Sequence, residues 1–199
     1  MLRNTLKLKA FELGLLSLNE EVDIEKAFLL VRDMPYQRAS DRQPETIIRE
    51  WRGTCSGKHY LLKALFRELG YASRVMACTT VEHIDPQTMP GRLKTLLEES
   101  NGRFVDVHNY LILELPDREM IVDATWPIAV LGTGLVVNES FVLGEDQQIA
   151  GEPIKTWQVP DDCDPQIFKD QLLQENFTPQ ERQHRDEFIQ TLSHMMNNQ

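Results

Sequence analysis

The residues from Gly53 to His59, GTCSGKH, combine a thiol, an amine and an imidazole with two glycines. Two kinds of chemistry use such a stretch: a glycine-rich loop that binds phosphate, and a cysteine nucleophile at the start of a helix. The phosphate loop needs four residues between its first glycine and the Gly-Lys pair, and then Ser or Thr. Here three residues separate Gly53 from Gly57, and His59 follows Lys58. The spacing therefore disfavours a phosphate-binding loop.

A metal site is a further possibility, because Cys55 and His59 lie four residues apart and Cys78 and His83 follow downstream. Structural zinc sites are usually formed by closely paired ligands such as Cys-x-x-Cys, and this sequence has no such pair. His59 lies at helical spacing from Lys63, so we predict a solvent-exposed histidine on the polar face of a helix. We expect no metal and no cofactor.

Cys55 is the candidate nucleophile, because it begins a segment, residues 55–69, with the periodicity of an amphipathic helix. The apolar positions are Leu62, Leu65, Phe66 and Leu69. Thr54 is a suitable N-cap and Gly70 a suitable residue to end the helix. Free N–H groups and the helix dipole lower the pKa of a thiol at this position and can bind an oxyanion. Taken alone, such a cysteine is more often a small buried hydrophobe than a nucleophile.

A predicted β-hairpin over residues 104–124 supplies an imidazole and a carboxylate. With a two-residue turn at Pro116-Asp117, Asp123 pairs with Tyr110. Side chains alternate along a strand, so His108 shares a face with Tyr110 and is a diagonal neighbour of Asp123. A shift of one residue in the register would place Asp123 on the opposite face. That opposite face is apolar and is predicted to enter the core; it consists of Val107, Leu111, Leu113, Leu115, Met120 and Val122.

Cys55, His108 and Asp123 therefore form a candidate catalytic triad for acyl transfer. The imidazole keeps the thiol ionised and later donates its proton to a leaving group. The carboxylate fixes the imidazole tautomer and stabilises the imidazolium.

Two segments resemble the transglutaminase-like superfamily. WRGTCSGKHYLLKALFRELGYASRVMAC (51–78) resembles its nucleophile segment, and VHNYLILELPDREMIVDATWP (107–127) resembles its histidine and aspartate strands. DMPYQR (33–38) is similar to a short segment that often precedes the cysteine helix in such domains. The same regions are also similar to arylamine N-acetyltransferases, through Arg52-Gly53 and Ile121-Val122-Asp123.

The resemblance implies an α+β, papain-like fold in which the helix that carries the cysteine packs centrally on an antiparallel sheet. It implies Cys55 as nucleophile, His108 as base and acid, and Asp123 as the orienting group. Asn109 departs from the small or aromatic residue that often follows the histidine. No tryptophan far upstream of Cys55 is present to assist the oxyanion, and neither Gln37 nor Gln43 has a convincing position for that role.

Other segments complete the prediction. We expect a helix over 19–34 capped by Asn19, a short helix or strand over 44–51, a strand over 73–81, and a loop with a short helix over 84–102. The glycine-punctuated segment 131–144 is predicted to hold one or two strands.

The chain from about residue 164 is predicted to be helical. Thr178 to Glu181 forms a capping box for the last helix, and its apolar stripe is Phe188, Ile189, Leu192, Met195 and Met196. We predict a catalytic domain over residues 1–160 and a C-terminal helical extension over 161–199. Helices, then an antiparallel sheet, then helices indicate the α+β class.

Composition limits the partners. A formal net charge of −10, from 21 basic and 31 acidic side chains, disfavours nucleic acid and anionic membranes. No apolar run is long enough for a membrane span, and Glu12 interrupts the apolar N-terminal stretch. Three cysteines without framework spacing are typical of a reducing compartment, so we predict a cytoplasmic protein.

The predicted function is cysteine-dependent acyl transfer on a peptide, protein or small amide, through a thioester on Cys55. Hydrolysis and transfer remain open, as does the oligomeric state. The alternatives are a non-catalytic binding or scaffold protein on the same fold, and an acyl-CoA-dependent N-acyltransferase.

Overall fold

A computed structural model describes residues 1–196 and has the predicted α+β architecture. The helices in this part of the chain are α1 (Leu2–Glu12), α2 (Ile24–Arg32), α3 (Pro44–Glu50), α4 (Cys55–Glu68), α5 (Gly91–Glu99), α6 (Pro165–Asn176) and α7 (Pro179–Met196). The strands are β1 (Ala72–His83), β2 (Arg103–Glu114), β3 (Glu119–Val122) and β4 (Pro153–Gln158). They form one antiparallel sheet in the order β3-β2-β1-β4.

The helix that begins at Cys55, α4, forms where the sequence predicts it. Thr54 occupies the N-cap with extended backbone, and Gly70 follows the helix with φ of +89°, a conformation that strains residues with a side chain. The apolar stripe is fully buried at Leu61, Leu62, Leu65 and Phe66. These side chains belong to the main core cluster, together with the inward residues of the sheet.

The hairpin of β2 and β3 has the predicted register. Leu111 pairs with Val122 and Leu113 with Met120, and the N–H of Leu115 donates to the carbonyl of Arg118 at 2.8 Å across the turn. The face predicted to be apolar is buried in the same cluster as α4, with Leu115 partly buried at its edge. The register places the next residue after β3, Asp123, on the side of His108.

The central strand β1 corresponds to the strand predicted over 73–81 and pairs with β2 from Ala72–Glu114 to His83–Arg103. In this register Cys78 is directly opposite His108. The segment between β1 and β2 contains a short 3₁₀ turn and α5, as expected of a loop with a short helix.

The prediction of strands within 131–144 is wrong, because the structure has no strand there. Gly132 and Gly134 adopt positive φ, which interrupts an extended chain. Asn138 instead anchors the segment, since its amide donates to the carbonyls of Asp123 and Gln148 at 2.9 Å each. The fourth strand is β4, which pairs with β1 between Met76 and Thr80 and was not predicted.

The helix predicted over 19–34 begins later, because Asp23 and not Asn19 is its N-cap. The Asp23 carboxylate accepts from the N–H of Lys26 at 2.8 Å. Glu20 belongs to the preceding turn, where its carboxylate accepts from the N–H of Ser17. The ambiguous segment 44–51 is a helix, α3, with Pro44 in its first turn.

The chain forms two helices from Pro165 to Met196, in agreement with the helical segment predicted from about residue 164. In the capping box, the N–H of Thr178 donates to the Glu181 carboxylate at 2.9 Å, and the N–H of Glu181 donates to the Thr178 hydroxyl at 3.3 Å. Phe188 and Leu192 are buried, and α7 packs against α5 and β2. The Met196 side chain and residues 197–199 lie outside the described part, and the division into 1–160 and 161–199 stays a prediction.

Among residues 1–196, no helix combines the length and the apolar character needed to cross a membrane.

Candidate active site

His108 and Asp123 are in direct contact. Nε2 of His108 lies 2.6 Å from Oδ2 of Asp123, and both side chains are buried. Backbone N–H groups hold the same carboxylate: Thr125 donates to Oδ1 at 3.0 Å and Ala150 to Oδ2 at 2.8 Å. Because Nε2 faces the carboxylate, Nδ1 is the ring nitrogen available to a thiol. The carboxylate therefore fixes both the orientation and the tautomer of the imidazole.

Cys55 is the first residue of α4, and its side chain is fully buried among polar partners. It interacts with His108, with the ammonium of Lys169 at 3.5 Å from Sγ, and with the hydroxyl of Tyr36. Tyr36 comes from the predicted DMPYQR segment and packs on Trp126, with 4.3 Å between ring centroids. The structure thus brings the three predicted site residues together and adds Tyr36 and Lys169, neither of which was predicted as a site residue.

The electrostatics favour an ionised thiol. Burial alone would raise the pKa of Cys55, but the positive charge of Lys169 and the interaction with His108 lower the pKa to about 6. Burial also opposes the charged form of His108, yet the Asp123 carboxylate raises the pKa of the imidazole well above its usual value. The same pairing holds the pKa of Asp123 well below its usual range, despite burial. A thiolate beside an imidazolium is the expected state near neutral pH.

A buried carboxylate, Asp106, organises the cationic side of the site. Its Oδ1 lies 3.3 Å from Nζ of Lys169 and 2.6 Å from Nε of Arg185. Asp106 precedes His108 by two residues on β2, so the two side chains share a face of the sheet. The spacing of two residues between Asp106 and His108 is a local signal from which Asp106 could have been predicted. The sequence holds no such signal for Lys169 or Arg185, because they lie on α6 and α7, far along the chain.

The first turn of α4 is tied to β2 beside the triad. The hydroxyl of Ser56 donates to Oδ1 of Asn109 at 2.7 Å, and Nδ2 of Asn109 donates to the carbonyl of Met76 at 3.1 Å. Gly57 lets α3 approach this turn, because a Cβ atom there would lie 2.7 Å from Cδ1 of Ile47. Asn109, a departure from the expected pattern, therefore has a structural partner next to Cys55.

The prediction that His59 is solvent-exposed is wrong, because its ring is fully buried. Nδ1 lies 2.7 Å from the carbonyl oxygen of Cys55, and Nε2 accepts from the N–H of Ala124 at 2.9 Å. Since Nε2 accepts, Nδ1 carries the proton and donates to the carbonyl. Burial lowers the pKa of His59 to about 4, so the ring is neutral at pH 7. Through these two hydrogen bonds, His59 connects the first turn of α4 to the segment that contains Asp123.

Lys58 also connects α4 to neighbouring segments through buried hydrogen bonds. Its Nζ donates to the carbonyls of Arg32 at 2.7 Å and Thr125 at 3.0 Å, and burial lowers its pKa to about 7. The amine therefore points into the protein, which agrees with the rejection of a phosphate-binding loop.

A second thiol, Cys78, is buried beside His108, and all three cysteines are free. Burial raises the pKa of Cys78 to about 11, so this thiol stays protonated where Cys55 ionises. The two thiols differ in their surroundings, because Cys55 has Lys169 at 3.5 Å.

Within residues 1–196, no group of three or more His, Cys, Asp or Glu side chains is arranged to hold a metal ion. No protein-family model matches the chain, and a comparison with curated proteins finds no similar sequence. The functional assignment therefore depends on the geometry and chemistry of the site.

Proposed function

We propose that this chain is a cysteine-dependent acyl-transfer enzyme of the transglutaminase-like superfamily with a papain-like core. The observation that carries the proposal is the 2.6 Å contact between His108 and Asp123 beside the buried thiol of Cys55 at a helix N-terminus. A lowered thiol pKa and a raised imidazole pKa are the conditions for a thiolate–imidazolium pair. The substrates in this proposal are peptides, proteins or small amides.

Acylation begins when the thiolate of Cys55 attacks the carbonyl carbon of the amide. The C–S bond forms and the carbonyl π electrons move to oxygen, which gives a tetrahedral intermediate. The imidazolium of His108 then donates its proton to the amide nitrogen as the C–N bond breaks and the amine leaves. The products of this half-reaction are a thioester on Cys55 and a neutral imidazole, which Asp123 keeps in position.

Deacylation uses the same groups in reverse. The neutral imidazole of His108 removes a proton from water or an amine as that nucleophile attacks the thioester carbonyl. The intermediate collapses, the C–S bond breaks, and Cys55 leaves as a thiolate beside the regenerated imidazolium. Water gives hydrolysis and an amine gives transamidation, so the choice depends on which nucleophile reaches the thioester.

Three kinds of donor are available to a developing oxyanion. The N–H groups of the first turn of α4 have no carbonyl partner within the helix. The hydroxyl of Tyr36 and the ammonium of Lys169 both lie against Cys55. In this proposal these donors take the role for which the sequence has no upstream tryptophan and no well-placed glutamine, and the side chains of Tyr36 and Lys169 are both buried.

Acylation by p-nitrophenyl acetate tests the proposal, because this ester reacts with activated thiols without a specific substrate site. We expect a burst of p-nitrophenolate and one acetyl group on Cys55 by intact and peptide mass. Cys55→Ser should abolish the acetylation, His108→Ala should slow it by about 100-fold, and Cys78→Ser should leave it unchanged. Absence of acetyl-Cys55 in the intact protein would show the proposal to be wrong.

A non-catalytic binding protein on the same fold is the second candidate, because Cys55 has no exposed surface and Lys169 of α6 lies against its sulfur. Iodoacetamide separates the two candidates. Alkylation of Cys55 at pH 7 no faster than that of a free thiol supports the binding protein. Addition of acetyl-CoA, read by intact mass, separately tests whether the acyl donor is a CoA thioester.

A further inference from the structure

A cavity of about 690 Å³ ends beside the nucleophile. It lies between the segment 36–42, the start of α4, α6 and α7. Thr54 and Ser56, which flank Cys55 in the chain, line its wall, and so does Lys169, whose ammonium contacts the Cys55 sulfur. The cavity therefore reaches the residues on both sides of the thiol in the chain, and the Lys169 side chain on its wall lies against the Cys55 sulfur.

Two arginines, Arg38 and Arg42, lie on the wall of this cavity. Within residues 1–196 neither guanidinium forms a salt bridge, and Nε of Arg42 is buried without a hydrogen-bond partner. A buried donor without a partner destabilises the fold. Burial and then the nearby charge of Arg38 lower the pKa of Arg42, and the opposing attraction of Cys55, Asp170 and Asp164 does not restore it to its usual value. Such an arrangement is unfavourable for the fold alone and is typical of a functional site.

The remaining charged side chains of the cavity already have partners. Lys169 and Arg185 are paired with the buried carboxylate Asp106, and Arg185 also contacts Asp186. Asp170, the carboxylate on α6, accepts a hydrogen bond from the Gln166 amide. Asp170 also attracts Arg42 without forming a salt bridge with it, so the cations that can still pair with a ligand are the two arginines. Guanidinium groups bind carboxylate and phosphate oxygens through paired N–H donors.

We infer that this cavity binds the acyl substrate and that the substrate carries an oxyanion group, a carboxylate or a phosphate, held by Arg38 and Arg42. The inference rests on the proposed function, since it takes Cys55 to be the acylated residue. It adds the substrate class, which is an amide whose acyl part carries a negative charge. The protein as a whole has a formal net charge of −10, which repels anions. The two arginines make the cavity locally positive, so that an anionic substrate can bind there.

Paired alkylating reagents test the inference without a known substrate. Iodoacetate and iodoacetamide have the same leaving group and similar size, but only iodoacetate carries a carboxylate. The alkylation rate of Cys55 with iodoacetate is divided by its rate with iodoacetamide, both measured by mass in a Cys163→Ser background. Differences in access to the buried thiol affect both rates equally and therefore drop out of this ratio. We expect Arg42→Gln and Arg38→Gln each to lower this ratio by about threefold to fivefold, which is the effect expected from losing one partly exposed ion pair.

Arg67→Gln is the matched control, because Arg67 is an exposed arginine of α4 outside this cavity. It changes the net charge equally and should leave the ratio unchanged. An equal fall in all three variants would mean that only the overall field attracts the anion, and the inference would be overturned. Because Arg38 is exposed, its variant keeps the test valid if Arg42→Gln does not fold.

Protection by oxyanions distinguishes the two ligand chemistries. Succinate and inorganic phosphate are each added before iodoacetamide, with succinamide as the neutral control. Protection by succinate that weakens in Arg42→Gln identifies a carboxylate, and the same result with phosphate identifies a phosphoryl group. If neither anion protects Cys55 while iodoacetamide still reacts rapidly, the cavity assignment fails and the proposed function stands. If Cys55 does not react with iodoacetamide at all, both fail.

Discussion

Ser56 and Asn109 form a hydrogen bond of 2.7 Å that joins the helix of Cys55 to the strand of His108. Each residue directly follows a member of the triad, Cys55 and His108, and each is almost fully buried. The bond therefore fixes the distance between the first turn of α4 and β2 at the level where thiol and imidazole meet. The amide of Asn109 is in turn held by the carbonyl of Met76.

Ser56→Ala should destabilise the protein and also slow alkylation of Cys55. The substitution leaves Oδ1 of Asn109 buried without its donor, which costs about 1–3 kcal/mol. Denaturant unfolding measures the loss in stability, and iodoacetamide kinetics at pH 7 measure the loss in thiolate. A double-mutant cycle with Asn109→Ala isolates the pair. Additive effects of the two substitutions on both readouts would contradict a coupled role.

The pH dependence of Cys55 alkylation should give an apparent pKa near 6. Removing a cation beside a thiolate destabilises the anion, so His108→Ala and Lys169→Met should both raise this value. Lys63→Met is the control, because Lys63 lies on the same helix but pairs with Asp161 at its surface. An unchanged profile in Lys169→Met, with faster alkylation at every pH, would mean that Lys169 only covers the thiol.

Cys78 should remain unmodified under conditions that alkylate Cys55 completely. Its burial raises the pKa to about 11, so at pH 7 almost none of it is thiolate. In a Cys163→Ser background the protein should take up one carbamidomethyl group, located on the peptide that contains Cys55. Modification of Cys78 at a comparable rate would contradict the assignment of the nucleophile.

The predicted triad could be brought together from sequence because each member lies in an element with strong local signals. The periodicity of α4 fixes Cys55 at a helix start, and alternation in the hairpin fixes His108 relative to Asp123. The register that the structure gives, with Leu111 opposite Val122, is the predicted one. Local periodicity and a two-residue turn therefore determine this part of the site.

The parts that were missed depend on long-range contacts. Lys169 lies on α6, 114 residues from Cys55, and nothing in its local sequence distinguishes it from a surface lysine. His59 lies between polar residues on the helix, so periodicity predicts exposure, yet hydrogen bonds to Cys55 and Ala124 compensate its burial. Edge strand β4 carries Pro153 and mostly exposed residues, so it lacks the apolar alternation of a half-buried strand.

Asp106→Asn should loosen the C-terminal helices, because Asp106 is the shared partner of Lys169 on α6 and Arg185 on α7. Removing one charge of a buried ion pair typically costs about 3–5 kcal/mol. Hydrogen exchange should increase in α6 and α7 more than in α4. Asp161→Asn is the control, since that carboxylate pairs with Lys63 at an exposed position. Uniform loss of protection across the sheet would indicate global destabilisation instead.

Because burial lowers the pKa of His59, the free energy of unfolding should decrease at acid pH. Its pKa is about 4 in the folded protein and about 6.5 when exposed, so below pH 6.5 the unfolded chain binds a proton that the folded chain does not. The free energy of unfolding therefore falls as the pH drops from 6.5 towards 4, by up to about 3 kcal/mol from this group. Below pH 4 both states are protonated and its contribution stops changing.

His59→Gln isolates this effect, because other groups with shifted pKa values are present in both proteins. The variant should be less stable at pH 7, since the contacts with Cys55 and Ala124 are weakened, and the difference between the two proteins should shrink as the pH falls to 4. Urea unfolding at a series of pH values gives both free energies. A difference that stays constant from pH 7 to pH 4 would mean that His59 has the same pKa in the folded and unfolded protein and takes up its proton within the fold, which the donor N–H of Ala124 at Nε2 opposes.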